Sequence, residues 1–122
     1  MKEIKITEAF MDESILLCPE CNGPNMHHDK VEIFDCGEDE EEGTHVVVEG
    51  DDVKIDKSLL GNPSPRRHGL KISFWCEKCN NTNVFILRQH KGNSFVGWIT
   101  PKEEQEWLKD QKEERKEEDG KS

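Results

Sequence analysis

Apolar side chains are scarce in this chain. They make up 32% of its 122 residues, against the ~45–50% usual in globular domains. So small a stock builds only a small core, and small cores need a staple such as a metal or disulfides. Long hydrophobic runs are missing as well. The longest, VFIL at residues 84–87, falls far short of the ~20 residues that span a bilayer, so a membrane partner is not expected. The opening residues, MKEIKITEAFMDESILL, contain no basic segment followed by an apolar run, which argues against a signal peptide. These absences predict a soluble, cytoplasmic protein of one domain. In a reducing compartment, paired cysteines are more often metal ligands or redox centres than disulfides.

Catalytic signatures are equally thin. There is no HExxH, no phosphate-binding loop and no nucleophile–base motif. No small-molecule substrate is evident, and a non-catalytic role is expected. The absence of an a/d heptad excludes a coiled coil.

Charge is abundant but uneven. The formal net charge is −10, yet residues 57–102 hold eight basic side chains against Glu77 alone, a net +7. The acidic charge is concentrated in CGEDEEEG at 36–43 and in the run from 103 to 119. The low overall pI therefore conceals a basic central segment. That segment either forms a surface for a partner or pairs with the chain's own acidic blocks.

Alternation of apolar and polar residues predicts strands over 29–34, 44–49, 53–56, 70–75, 83–90 and 94–99. THVVVE-GDD-VKID reads as a hairpin, and KGN at 91–93 turns a second one. LLGNPSPRRHG at 59–69 is a loop with a restricted backbone. Thr100-Pro101-Lys102-Glu103 is a capping box, with proline at the first helical position. A helix over 101 to about 118 follows, with Trp107 and Leu108 as its only large apolar side chains and a charged, solvated end. The chain thus divides into a β domain over 1–100 and a charged helix and tail over 101–122.

Cys18-Pro19-Glu20-Cys21 and Cys76-Glu77-Lys78-Cys79 carry the chemistry. Two residues between cysteines let both thiolates reach one ion from a tight turn. Two such turns close a tetrahedral site of four sulfurs, which zinc prefers and iron also accepts. Gly23 and Asn80-Asn81 follow the two pairs and suit the positive φ such turns use. A thioredoxin-type pair would need a βαβ setting, and none is present. A closed site leaves no position for water and points to a structural ion. A catalytic variant would recruit His27, His28 or Cys36 in place of one ligand. Cys36 is otherwise a free loop thiol whose acidic neighbours disfavour its thiolate.

Two CxxC knuckles leading into β-hairpins resemble the zinc-ribbon superfamily. The 54 residues between Cys21 and Cys76 exceed the ~15–20 of simple ribbons. The excess is expected as an inserted β-meander over 27–60. CPEC followed by His27-His28, NPSPRRHGL, FWCEKC and the QHKG at 89–92 also resemble an uncharacterised zinc-ribbon group of bacteria and phages, over roughly residues 18–98. The resemblance implies a mostly β fold with a C-terminal helix and a bacterial or phage source, and it implies no activity.

Arg66, Arg67, His68, Arg88, His90 and Lys91 are the candidate binding residues, expected to converge near the ribbon. Arginine offers phosphate a planar donor fork. Trp75, Phe85, Phe95 and Trp98 could stack on unpaired bases or belong to the core. Nucleic acid is one partner class. A protein is the other, because the net negative charge opposes long-range approach to nucleic acid. In the adaptor reading, a phage protein acts on a host complex. A weaker third reading groups Arg66, His68, His90 and Lys91 as a phosphodiester-cleaving cluster.

Overall fold

The structure, a computed structural model, describes residues 1–8, 11–37, 40–64 and 67–120, with helix side chains through residue 113. Six strands form one antiparallel sheet: β1 (Met26–Asp35), β2 (Thr44–Glu49), β3 (Asp52–Asp56), β4 (Gly69–Cys76), β5 (Thr82–His90) and β6 (Asn93–Ile99). Their spatial order is β3-β2-β1-β4-β5-β6. One helix, α1 (Pro101–Gly120), follows. Among the described residues no helix is long and apolar enough to cross a membrane.

The expected meander is present as β1–β3, but it is not a separate insertion. β1 pairs along its length with β4, and a bulge between His28 and Val31 adjusts the register. The two halves therefore make a single sheet. The pairing is favourable because Val31 meets Ile72 and Ile33 meets Leu70, so apolar positions oppose apolar positions. β1 also starts three residues before the expected strand. That places His27 opposite Trp75 and His28 opposite Phe74.

Directly opposed residues share a face, so the register sorts the sheet into two sides. On one side, an apolar ladder runs Ile55–Val46–Ile33–Leu70–Leu87–Val96 across all six strands. A second runs Val53–Val48–Val31–Ile72–Phe85–Trp98 beside it. The other side carries Glu32, Phe34, Lys71, Ile86 and Ile99. This is the side that the helix covers.

Lys71 is the main buried charge. Alternation in β4 sets Lys71 and Ser73 on the face opposite Leu70, Ile72 and Phe74. Lys71 is only 4% exposed. Its ammonium pairs with Glu32 at 3.0 Å and Glu104 at 3.1 Å. It also lies 5.7 Å from the ring centre of Phe34 and 5.6 Å from that of Trp107. The helix meets the sheet and its flanking loop through Glu104, Trp107, Leu108 and Gln111. This is an i, i+3, i+4, i+7 stripe, wider than the Trp107–Leu108 point expected from apolar residues alone. Gln111 accepts the Gly61 N–H at 2.8 Å. Gly61 has φ +92°, and a Cβ there would come within 3.1 Å of both Leu108 and the Lys71 ammonium. Only glycine fits this crossing without strain.

The capping box forms as expected. The Glu103 N–H donates to Thr100 Oγ1 at 3.1 Å, and Glu103 Oε1 accepts from the Thr100 N–H at 3.4 Å. Thr100→Ala should therefore lower stability by about 1 kcal/mol, while Thr100→Ser should recover most of it. Urea denaturation of the three proteins tests this, and an unchanged midpoint in the alanine variant would contradict it.

Candidate metal centre

Each cysteine pair sits in a tight turn, and the two turns share one backbone pattern. In the first, Asn22 N–H donates to the Cys18 carbonyl at 2.9 Å and Cys18 N–H to that of Gly23 at 2.9 Å. In the second, Asn80 N–H donates to the Cys76 carbonyl at 2.9 Å and Cys76 N–H to that of Asn81 at 3.1 Å. Asn22 and Asn80 hold φ of 62° and 58°, a conformation that asparagine tolerates better than most residues. The positive φ thus falls on Asn22 rather than on Gly23. Gly23 instead keeps space beside the sulfurs, since a Cβ there would lie 3.2 Å from Cys21 Sγ and 3.5 Å from Cys76 Sγ.

The turns arrive from different parts of the chain. Cys76 ends β4, beside Met26 at the start of β1. Cys18 is delivered by the N-terminal segment, which the sequence pattern did not predict to pair. Lys2 bridges to Trp98 of β6, and the Leu17 N–H donates to the Lys5 carbonyl at 3.0 Å. Lys2 also pairs with Glu20 inside the first turn at 2.7 Å.

The four sulfurs converge. Cys18 and Cys79 Sγ are 3.7 Å apart and Cys21 and Cys76 Sγ 3.6 Å apart, and all four lie within 4.8 Å of one another. A disulfide needs about 2.05 Å. A tetrahedral thiolate site with metal–sulfur bonds of about 2.3 Å has S···S edges of about 3.8 Å. The cluster is therefore spaced to hold a metal ion and not to form disulfides. Cys18 and Cys76 are fully buried.

Backbone donors aim at these sulfurs. Glu20 N–H lies 3.4 Å from Cys18 Sγ. The N–H of Cys79, with that of Lys78, outweighs burial and lowers the Cys76 thiol to about 7. The Gly23 N–H favours the Cys21 thiolate, but burial and the three neighbouring thiols push that group up to about 12. Burial also raises Cys18. Without a cation, burial and the neighbouring thiols therefore oppose ionisation of Cys18 and Cys21. A metal ion would replace their protons.

The alternative ligands lie elsewhere. His27 stacks on Trp75 with ring centres 4.7 Å apart and pairs with Glu77. His28 packs edge-on to Phe74. Cys36 lies beyond the far end of β1, 1% exposed, with its thiol 3.4 Å from the carbonyls of Gly37 and Glu40. Burial first, then the charges of Glu40 and Asp35, raise its pKa.

The described basic candidates, Arg67, His68, Arg88, His90 and Lys91, border the opposite end of β4. Seven residue steps separate Gly69 from Cys76, or about 23 Å of strand. They therefore do not converge near the cysteines. The loop before β4 is nevertheless pinned to the end of β5, because the Gln89 N–H donates to Ser64 Oγ at 2.8 Å. Asn62 Nδ2 donates to the Arg67 carbonyl at 2.8 Å, which closes the loop on itself. His68 Nδ1 accepts the Cys36 N–H at 3.0 Å and lies 3.2 Å from Asp35. It can accept from Cys36 or, when protonated, donate to Asp35, but not both at once. Arg88 lies over the half-exposed ring of Phe95 at 5.6 Å. His90 and Lys91 form the adjoining hairpin tip. Arg66 lies outside the described residues. Of the proposed stacking aromatics, Trp98 is fully buried and Phe85 packs edge-on against it. Trp75 and Phe95 remain 41% and 45% exposed.

Comparison with protein-family models, with curated proteins and with solved structures returned no match.

Proposed function

We propose that this chain is a non-catalytic binding module of zinc-ribbon type, held by a structural zinc at Cys18, Cys21, Cys76 and Cys79, with a basic surface for nucleic acid. The matched turns and the four-sulfur spacing support the ribbon reading. Four thiolates fill a tetrahedral shell and leave no coordination position for a substrate, which favours a structural ion. Iron takes the same ligands. Elemental analysis after growth with both metals, with the visible absorption that iron thiolates show, decides between them.

One contact supports the binding surface most directly: the Ser64–Gln89 hydrogen bond, which fixes the basic loop beside the hairpin tip. Arg67, His68, Arg88, His90 and Lys91 thereby border one end of the sheet, with the Phe95 ring among them. A second reading, a protein-interaction adaptor, draws on the net charge of −10. That charge opposes long-range attraction to nucleic acid.

Titration of metal-loaded protein against mixed DNA and RNA pools at several salt concentrations separates the two. Phosphate contacts should give affinity that falls with salt, with each contact contributing a slope of about −0.7 to −0.9. Arg66→Ala with Arg67→Ala, and Arg88→Ala with Lys91→Ala, should each flatten that slope without unfolding the chain. No binding at low salt would transfer the reading to a protein partner.

A further inference from the structure

The side of the sheet away from the helix is apolar across its full width, yet much of it is open. Of the two ladders on that face, Ile55 is 70% exposed, Val53 61%, Val96 48%, Ile33 43% and Val48 36%. Only the end at Trp98 is fully closed. Such a face is the reverse of the usual arrangement, in which a sheet turns its apolar side to its covering helix. Here the helix covers the side that carries Lys71 and Glu32.

We propose that this face docks against the same face of a second copy, forming a two-fold symmetric sheet-on-sheet dimer. Six strands about 4.8 Å apart and two ladders about 7 Å apart project to roughly 29 by 14 Å, or about 400 Å². A patch of about 400 Å² matches the largest apolar patch of a typical monomer, which is often functional. The accessible area of a corrugated face exceeds its projection. With a polar rim it approaches the roughly 600–800 Å² per copy of the smaller stable interfaces.

The chemistry of the face selects the occupant. None of its twelve ladder positions is ionisable, so an acidic or basic partner would find no counter-charge there. An identical apolar face is self-complementary under a two-fold axis. The β-branched Val and Ile side chains that dominate it are stiff and lose little freedom on packing. Two such sheets interdigitate about 10 Å apart, as in a β-sandwich.

The acidic charge does not oppose this geometry strongly. The acidic helix lies on the opposite side, so dimerisation sends the two helices to the outer surfaces. They end roughly 30 Å apart, the sum of one sheet–sheet layer and two sheet–helix layers. The screening length at physiological salt is about 8 Å. Self-association should therefore strengthen with salt, opposite in sign to phosphate binding by the basic end of the sheet.

Sedimentation equilibrium of the metal-loaded full chain across micromolar concentrations, at low and high salt, tests this. Wild type should be dimeric, more so at high salt. Ile55→Lys and Val96→Lys, at opposite edges of the face, should each weaken the dimer at least tenfold while circular dichroism and metal content stay unchanged. Lys54→Ala, on the other side of β3, should leave it intact. A wild-type chain that stays monomeric throughout would overturn the proposal, as would folded Ile55→Lys and Val96→Lys proteins that associate like wild type.

Discussion

Cys76→Ser should abolish metal binding and leave the chain largely unfolded, and chelation of the wild-type protein should do the same reversibly. The scale of the effect follows from two magnitudes. Structural zinc in small domains contributes roughly 10–16 kcal/mol of apparent binding energy, while the net stability of a domain is about 5–15 kcal/mol. A chain with so small an apolar core cannot lose the first and retain the second. The location adds to the effect. Cys76 terminates β4, the strand through which the β1–β3 half pairs with the β5–β6 half, while Cys18 follows the segment that bridges to β6. Losing the ion would free the end of this central strand and the N-terminal segment beside β6 at once. Cys36→Ser supplies the contrast. That thiol is also buried, but it lies apart from the cluster, so its loss should cost stability without costing metal. Far-ultraviolet circular dichroism with elemental analysis reads both quantities. A folded, metal-free Cys76→Ser protein would contradict a structural role for the ion.

The cysteine site was legible because its signal is local. Two CxxC pairs identify four candidate ligands without reference to the sheet, and the structure brings those four together. The strands were legible for a similar reason, since alternation with a period of two survives wherever one face is apolar. What the sequence concealed was contact between distant segments. Pairing of β1 with β4 is a long-range register choice, so the meander read as an insertion instead of half of the sheet. The Lys2–Trp98 bridge left no periodic trace. The helix stripe was missed because Glu104 and Gln111 contribute polar contacts that an apolar count ignores. The arginine loop, placed near the ribbon by sequence, and Cys76 stand at opposite ends of one eight-residue strand. That distance could have been read from Gly69–Cys76 alone. Polarity alone does not tell which face of β4 is covered, because a charge can be buried with its partners. Lys71 is that case.

Lys71→Ala should destabilise the fold by about 3–5 kcal/mol, because it removes the central cation of a largely buried ion group. Glu104 would lose Lys71, Glu32 would keep only the half-exposed Lys30 at 2.9 Å, and Phe34 and Trp107 would lose the side chain that lies over them. Lys71→Met retains the packing of the stem but removes the same charge from both carboxylates, so it too should be destabilising. Combined with Glu32→Gln and Glu104→Gln, it should recover most of the loss, since a neutral group of similar volume is often as stable as the ionic one. The pH dependence carries the signature of the charge. Burial alone would raise Glu32, but the Lys71 charge, aided by hydrogen bonds from Lys30 and Lys71, outweighs it and holds the carboxyl below its usual range. A lowered folded-state pKa means that the pairing stabilises the fold above the ordinary carboxylate pKa of about 4.3. That stability is lost as pH falls through the lowered value. The wild-type chain should therefore weaken steeply on acidification, and the triple variant should show a shallower acid limb. Urea midpoints at neutral pH and across the acid range measure both effects. An Ala variant as stable as wild type would contradict a stabilising role for Lys71, and a triple variant with an unchanged acid limb would show that its carboxylates do not set the acid response.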